Sequence, residues 1–315
     1  DLLQGIYVTK TINGVGAPFA DNAALDTKPE YSNIFDHVDL MIGGQVVDTW
    51  WPEFGQYMQP ELLATQESQY NLTDTTLAPY SFIPISYWFS GNPQSFLPLV
   101  ALQYHEVELR VVFSEKVNGI TNSHGNINTT AGHNLHFWGR YISLDDEERK
   151  FMTQTAANLL ITQIQRQPAH NTDLQEFSFT HPIKFLCARG KQTKPGGSGQ
   201  VPVLDVSAYN STNTSIVLQV NGTDLSRPMF SSPHFTQISK YYSSRYGQLA
   251  PRTTDKSVAG IATWTYQVFL YPFCLDTSSY QPTGTLNFSR VDNAAFRATP
   301  GGLSLVDDLY GVNYN

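Results

Sequence analysis

The chain has 315 residues, of which 41% are hydrophobic, 13% aromatic and only 15% charged, with a formal net charge of −8. That length suits two domains of ordinary size or one large all-β domain, and so little charge leaves a surface built largely from Asn, Ser, Thr and Gln. An acidic chain without a basic block lacks the footprint that phosphate-backbone binding needs, no run reaches the roughly 18 apolar residues of a membrane span, and no signal-peptide pattern opens the sequence; direct nucleic-acid binding and membrane insertion are not expected.

In chain order, the first clear element is "VDLMIGGQVVD" (38–48), where Val38, Leu40 and Ile42 share one face and are followed by Gly43-Gly44. A two-residue Gly-Gly link between short apolar runs predicts a hairpin, because primed turns need positive φ. Next comes "FLPLVALQYHEVELRVVF" (96–113), an apolar run passing into strict alternation at Val107, Leu109, Val111 and Phe113. Read as a continuous strand, it puts His105 on the face opposite Tyr104 and Glu106, so the triplet cannot converge on one substrate and reads as framework. "LDDEERKFMTQTAANLLITQIQ" predicts the one helix, Asp145 to Gln165. Asp145 caps it, acidic residues fill its first turn, and Phe151, Met152, Thr155, Ala156, Leu159 and Leu160 recur at helical spacing. Alternation resumes at Ile216, Leu218 and Val220 before Asn221-Gly222, and again at Trp264, Tyr266, Val268 and Leu270. Two β blocks flanking one helix predict two all-β units, while 123–134 and 191–200 read as loops and no short-period repeat is visible. Cys187 and Cys274 sit in apolar strand contexts and read as buried free thiols, which suits a reducing compartment.

Candidates for chemistry are few. His133 and His136 have H-x-x-H spacing with Asp145 and Asp146 downstream, but the pair lies in a loop entering a strand, not on a metal-binding helix. "ARGKQT" (188–193) does not meet the phosphate-loop spacing, and Ser289 in "NFSR" lacks a nucleophile elbow. Trp50 and Trp51 could form a sugar-stacking platform, which makes a carbohydrate-binding β-sandwich the alternative function; packing is the plainer reading. Six N-x-[ST] sequons occur. Asn71, Asn128, Asn210 and Asn213 fall in loop-like stretches and are the glycosylation candidates, whereas Asn221 and Asn287 read as structural. No catalytic, metal or cofactor constellation emerges.

Taken together, the motifs resemble the major capsid proteins of the nucleocytoplasmic large DNA viruses. The resemblance is carried by "VDLMIGGQVVD", by "FIPISYWFSGNPQSFLPLVALQYHEVELRVVF", by "RYISLDDEERKFMTQTAANLLITQIQ", and by "FTHPIKFLCAR", "QVNGTDLSRPMFSSPHFTQI" and "YPFCLDTSSYQPTGTLNFSRVDNA". Within these, the residues matching the family pattern are Gly43, Gly44, Asn92, Pro93, Pro98, Gln103, Tyr104, His105, Glu106, Asp145, Arg149, His181, Pro182, Gln281, Pro282, Gly284, Asn287, Ser289, Arg290, Asp292 and Asn293. The resemblance implies an all-β double jelly roll, two eight-stranded rolls over 1–144 and 145–315 joined by the helix. It implies a structural, non-enzymatic protein without cofactor, forming a homotrimer of pseudo-hexagonal outline. Such trimers tile an icosahedral shell with neighbouring capsomers and minor capsid proteins, in a virion assembled in the host cytoplasm. Set against the family pattern, the first strand of roll one and the last strand of roll two have no counterpart, so the chain is expected to be a portion of something longer.

Overall fold

The computed structural model describes residues 1–17, 31–63, 82–114, 133–154, 158–169, 173–191, 208–246, 252–253, 265–299 and 307–315. The chain divides into two compact units, one comprising Asp1–Gln56 with Ala64–Gln163 and the other Tyr57–Leu63 with Ile164–Asn315. No helix among the described residues is long and apolar enough to cross a membrane.

The first unit holds β1 (Leu2–Ile12), β2 (Val15–Ala17), β3 (Phe35–Ile42), β4 (Gln45–Trp50), β5 (Phe82–Ile85), β6 (Leu97–Pro98), β7 (Val107–Phe113) and β8 (His133–Ile142). One antiparallel sheet centres on β1, which pairs with β2, β5, β6 and β8; the other runs β4-β3-β7. Alternation sets which side chains point inward: Leu3, Ile6 and Val8 of β1, Val38 and Leu40 of β3, and Ile83 and Ile85 of β5 are all buried in one core with Trp50, Tyr87 and Phe89. Gly43 and Gly44 both have positive φ, 59° and 78°, so β3 and β4 meet in a primed turn as the sequence predicts. Asn13-Gly14 (φ 50° and 80°) makes a second such turn between β1 and β2 that the sequence reading passed over.

The second unit holds β9 (Thr162–Gln167), β10 (Leu174–Phe177), β11 (Pro182–Lys191), β12 (Ser215–Val220), β13 (Thr223–Asp224), β14 (Met229–Phe230), β15 (Arg252–Thr253), β16 (Thr265–Pro272), β17 (Leu286–Asn287), β18 (Ala294–Thr299) and β19 (Leu309–Tyr314). Its sheets run β15-β16-β11-β19-β9 and β10-β18-β12-β13, with β17 added to β11 and β14 to β12. Between them lies an aromatic core in which Phe269 sits 4.9 Å from Tyr209, 5.0 Å from Phe235 and 5.6 Å from Phe296, centroid to centroid. Rings at these distances and tilts contribute beyond their buried area.

The two units repeat each other. β1, β3, β4, β5, β7 and β8 pair among themselves as β11, β12, β13, β16, β18 and β19 do. Even the irregularities correspond: the register shift between Leu3 and Gly5 against β8 recurs between Ile183 and Phe185 against β19, and the two-residue pairing of β6 on β1 recurs as β17 on β11. A helical segment follows the hairpin in each, at Phe54–Leu62 (whose last turn, Gln59–Leu62, is α1) and at Ser231–Ser243 (whose last turn, Ser239–Ser243, is α3).

Two sequence expectations are corrected. The single long helix is only α2, Asp146–Gln154; from Thr162 the chain is β9, placed beside β19. "TQIQRQ" alternates as well as it turns, and the ladder offered by β19 outweighs a weak helical propensity. Nor is 96–113 one strand. Leu97–Pro98 makes a two-residue pairing with β1, Leu99–Ala101 forms a helical turn, and Tyr104, His105 and Glu106 lie in the turn before β7. Pro98 cannot continue a ladder, and the Glu106 carbonyl accepts from the Gly43 N–H at 2.9 Å, which fixes the chain before β7 begins.

Candidate functional site

The family-pattern residues gather where loops are fastened to strands. His181 has a positive φ of 66°; its N–H donates to Ser289 Oγ at 2.8 Å and its carbonyl accepts from Phe288 N–H at 3.1 Å. Pro182 pairs with Asn287, whose Oδ1 in turn accepts from Ser289 N–H at 3.0 Å, so His181-Pro182 and the Asn287–Arg290 turn form one knot. Asp292 and Asn293 both donate their backbone N–H to Asn221 Oδ1, at 3.0 and 3.1 Å, and Asn221 itself closes the β12–β13 turn with Gly222. Gly284 has φ 147°, and a Cβ there would stand 2.6 Å from the Phe273 carbonyl; the loop carrying exposed Gln281 and Pro282 closes only with glycine.

In the first unit, Asn92 Oδ1 caps the turn begun by Pro93 by accepting from Gln94 N–H at 3.1 Å. Asp145 Oδ1 accepts from Asp146 N–H at 2.7 Å at the start of α2, and Arg149 on α2 donates from Nε and Nη2 to Asp1 Oδ2 at 3.0 and 2.7 Å. Gln103 and Tyr104 face solvent, Tyr104 with 92% of its surface open, and the His105 ring lies against Gly43, 2.8 Å from where a Cβ would stand. Tyr104, His105 and Glu106 thus lie in the turn that is fastened to the β3–β4 hairpin ahead of β7.

The residues proposed for chemistry are not brought together. Trp50 is fully buried, which removes it from any sugar-stacking platform, and Trp51 lies half-buried against His37 with ring centroids 5.3 Å apart. His136 Nε2 is 3.0 Å from Thr11 Oγ1 on the neighbouring strand, and among the described residues no three His, Cys, Asp or Glu side chains gather as a metal site. Gly190 of "ARGKQT" lies in β11, and the Arg189 guanidinium stacks 3.7 Å above the Tyr57 ring. Asn213 is exposed beside β12 and Asn210 ends a short helical turn, while Asn71, Asn128 and the loop stretches 123–132 and 192–200 lie outside the described residues.

What the sequence reading missed is buried charge. Lys240 Nζ and Glu61 Oε2 meet at 3.1 Å, each side chain 2% exposed. Lys184 is buried, donates to the Ser279 carbonyl at 2.8 Å and lies 5.4 Å from the centre of the Tyr314 ring; burial lowers its pKa to about 8, against raising effects from Cys274 and Asp276. Burial likewise raises the Cys187 thiol and takes Cys274 to about 11, and both cysteines are free. Sequence gave no sign of these pairs, because their members are about 90 and 180 residues apart in the chain. Each of these charges is buried, with its partner supplied by a strand, loop or helical turn of the same unit.

Paired antiparallel sheets, repeated in two units, define a double jelly roll. Residues 1–145 match the model for the major capsid protein N-terminus, and residues 148–300 match that for the large eukaryotic DNA virus major capsid protein. The chain belongs to the major capsid protein family of large eukaryotic DNA viruses. It is 29% identical to the major capsid protein of Pyramimonas orientalis virus over all of its own length and 80% of that protein's. With that of Paramecium bursaria Chlorella virus 1 it is also 29% identical, over 84% of its length and 67% of the relative's. Among solved structures it resembles a chain of the PBCV-1 virus capsid quasi-atomic model, with TM-score 0.71, 23% identity, and coverage of 100% of this chain and 87% of that one. It also resembles the Faustovirus major capsid protein, with TM-score 0.56, 12% identity, and coverage of 99% and 77%.

Proposed function

We propose that the chain is a structural, non-enzymatic major capsid protein whose work is self-association in a virion shell. The observation that supports it most is the tandem match of two capsid family models to a chain that repeats one roll twice. Two similar rolls per chain, with a boundary near α2, make three chains present six similar lobes, the outline that tiles a curved hexagonal lattice. The unit of assembly is accordingly a homotrimer, which meets neighbouring capsomers and minor capsid proteins and is put together in the cytoplasm of the infected cell. Each trimer contact would bury well over the roughly 1,000 Å² that separates a biological interface from incidental contact.

Mass photometry of the protein tests this. A species of three times the 35.2 kDa chain mass is expected, with three-lobed particles of hexagonal outline by negative-stain microscopy. A stable monomer at micromolar concentration would overturn the reading.

A further inference from the structure

The internal repeat fixes which residue of one unit stands where a given residue of the other does. Counted from the shared register shift, Tyr7 corresponds to Cys187, and the neighbouring strands carry the correspondence to Trp138 and Tyr310 and to Phe82 and Val268. All three pairs lie on the sheet face that points away from the core, since Ile6, Val8, Leu186 and Ala188 beside them point into it. There the likeness stops. In the second unit the outer face is buried: Cys187, Val268, Leu270 and Tyr310 are at most 2% exposed, although none of them is part of the core between the sheets. In the first unit it is open, with Phe82 39% and Trp138 50% exposed.

Part of the cover in the second unit is Tyr57–Leu63, the end of the helical segment that follows the β3–β4 hairpin. The Tyr57 ring lies on the guanidinium of Arg189, the next outward residue of β11 after Cys187; Glu61 pairs with Lys240, and Tyr57, Met58 and Leu62 are buried. The start of that segment, up to Gln56, is counted with the first unit. The equivalent segment after the β12–β13 hairpin, Ser231–Ser243, is anchored in its own core at its start, where Phe235 lies 5.0 Å from Phe269. Its end is open: Ile238, Tyr241 and Tyr242 share one helical face, and the two tyrosines are 68% and 78% exposed. One chain thus carries an uncovered outer sheet face and an unseated helical end, each the counterpart of a surface that is covered within the second unit.

We propose that the helical end Ile238–Tyr242 of one copy seats on the outer face of the β1 sheet of a second copy, over Tyr7, Phe82 and Trp138, as Tyr57–Leu63 seats on the β11 sheet. A second copy is the occupant for two reasons. The piece of the fold that covers this face in the second unit is the same piece that is left unseated at Ile238–Tyr242. The residues named on both surfaces are uncharged, five of the six being aromatic, so burying them against each other strands no charge. The contact is head-to-tail, because the two patches differ: each copy offers one and receives one, and copies joined in this way close into a ring or run on as a filament. This pairing rests on the self-association proposed above and names the surfaces that carry it.

Multi-angle light scattering at micromolar concentration tests it on the wild type, Tyr242→Asp and Trp138→Asp, with folding checked by circular dichroism. Each variant should associate at least about tenfold more weakly than the wild type. An equimolar mixture of the two should recover particles of twice the 35.2 kDa chain mass, since the intact helical end of one fits the intact sheet face of the other. Variants that associate as the wild type does would sink these surfaces and leave self-association standing, whereas a monomeric wild type removes both. Variants that are monomeric alone and stay so when mixed overturn the head-to-tail pairing. Should Trp138→Asp or Tyr242→Asp fail to fold, Phe82→Asp or Tyr241→Asp takes its place, with the same results expected.

Discussion

Lys240 and Glu61 illustrate what single residues do here. Two charges with 2% exposure have lost their hydration, and their attraction offsets that loss only while both are present. Glu61→Gln should therefore destabilise the protein by about 3–5 kcal/mol in chemical denaturation, while Glu61→Leu combined with Lys240→Met should cost far less than the two single changes together. Lys184 carries a pH signature. Its pKa is about 8 in the fold against an ordinary 10.5, so the folded state bears the cost of a buried ammonium below pH 8. Between pH 8 and 10.5 the folded protein has shed this proton while the unfolded chain keeps it, and stability rises by on the order of 2–3 kcal/mol. Cys274 opposes this: its thiol, at about 11 in the fold against 9.0, contributes stability that is lost as pH climbs through that interval. Comparing wild type with Lys184→Met by urea denaturation at pH 7.5 and 10.5 isolates the lysine; the wild type should gain on the variant, and an unchanged difference would show that Lys184 titrates normally.

At the scale of elements, the turns decide register. Gly43→Ala places a side chain at φ 59° against the His105 ring, which is exposed and can move, so a loss of about 1–2 kcal/mol is expected. Gly284→Ala has no such outlet, because the atom it meets is the Phe273 carbonyl; its loss should exceed that of Gly43→Ala in parallel thermal melts. These turns were legible in the sequence because φ > 0 leaves a mark in residue type, as Gly43-Gly44 and Asn221-Gly222 show. Alternation at Val107–Phe113 and Ile216–Val220 likewise announced β7 and β12. The helix was legible only in its first half, since nothing local distinguishes Thr162–Gln167 as strand until β19 is beside it. His181 at φ 66° and the knot it makes with Ser289 join residues 108 positions apart, which no local pattern reveals. The repeat of one unit in the other was invisible for a related reason: pairing order and bulge position recur while the residues do not.

For the whole molecule, the two units carry different reporters. Four of the five tryptophans, Trp50, Trp51, Trp88 and Trp138, belong to the first unit, whereas Trp264 and both cysteines belong to the second. A core flanked by strands without buried residues should give way before one whose β19 is wholly buried. In residues 1–315 carrying Trp264→Phe, which leaves tryptophan in the first unit alone, emission should therefore shift to the red at lower urea than that at which the thiols become reactive to maleimide; coincident transitions would mean the units unfold as one. Those thiols have a further consequence. A shell protein made inside a cell ends its life outside one, passing from a reducing environment to an oxidising one. Cys187 and Cys274, the two cysteines of residues 1–315, are each shut away from solvent with burial raising their thiol pKa, so neither presents that change with a thiolate to act upon.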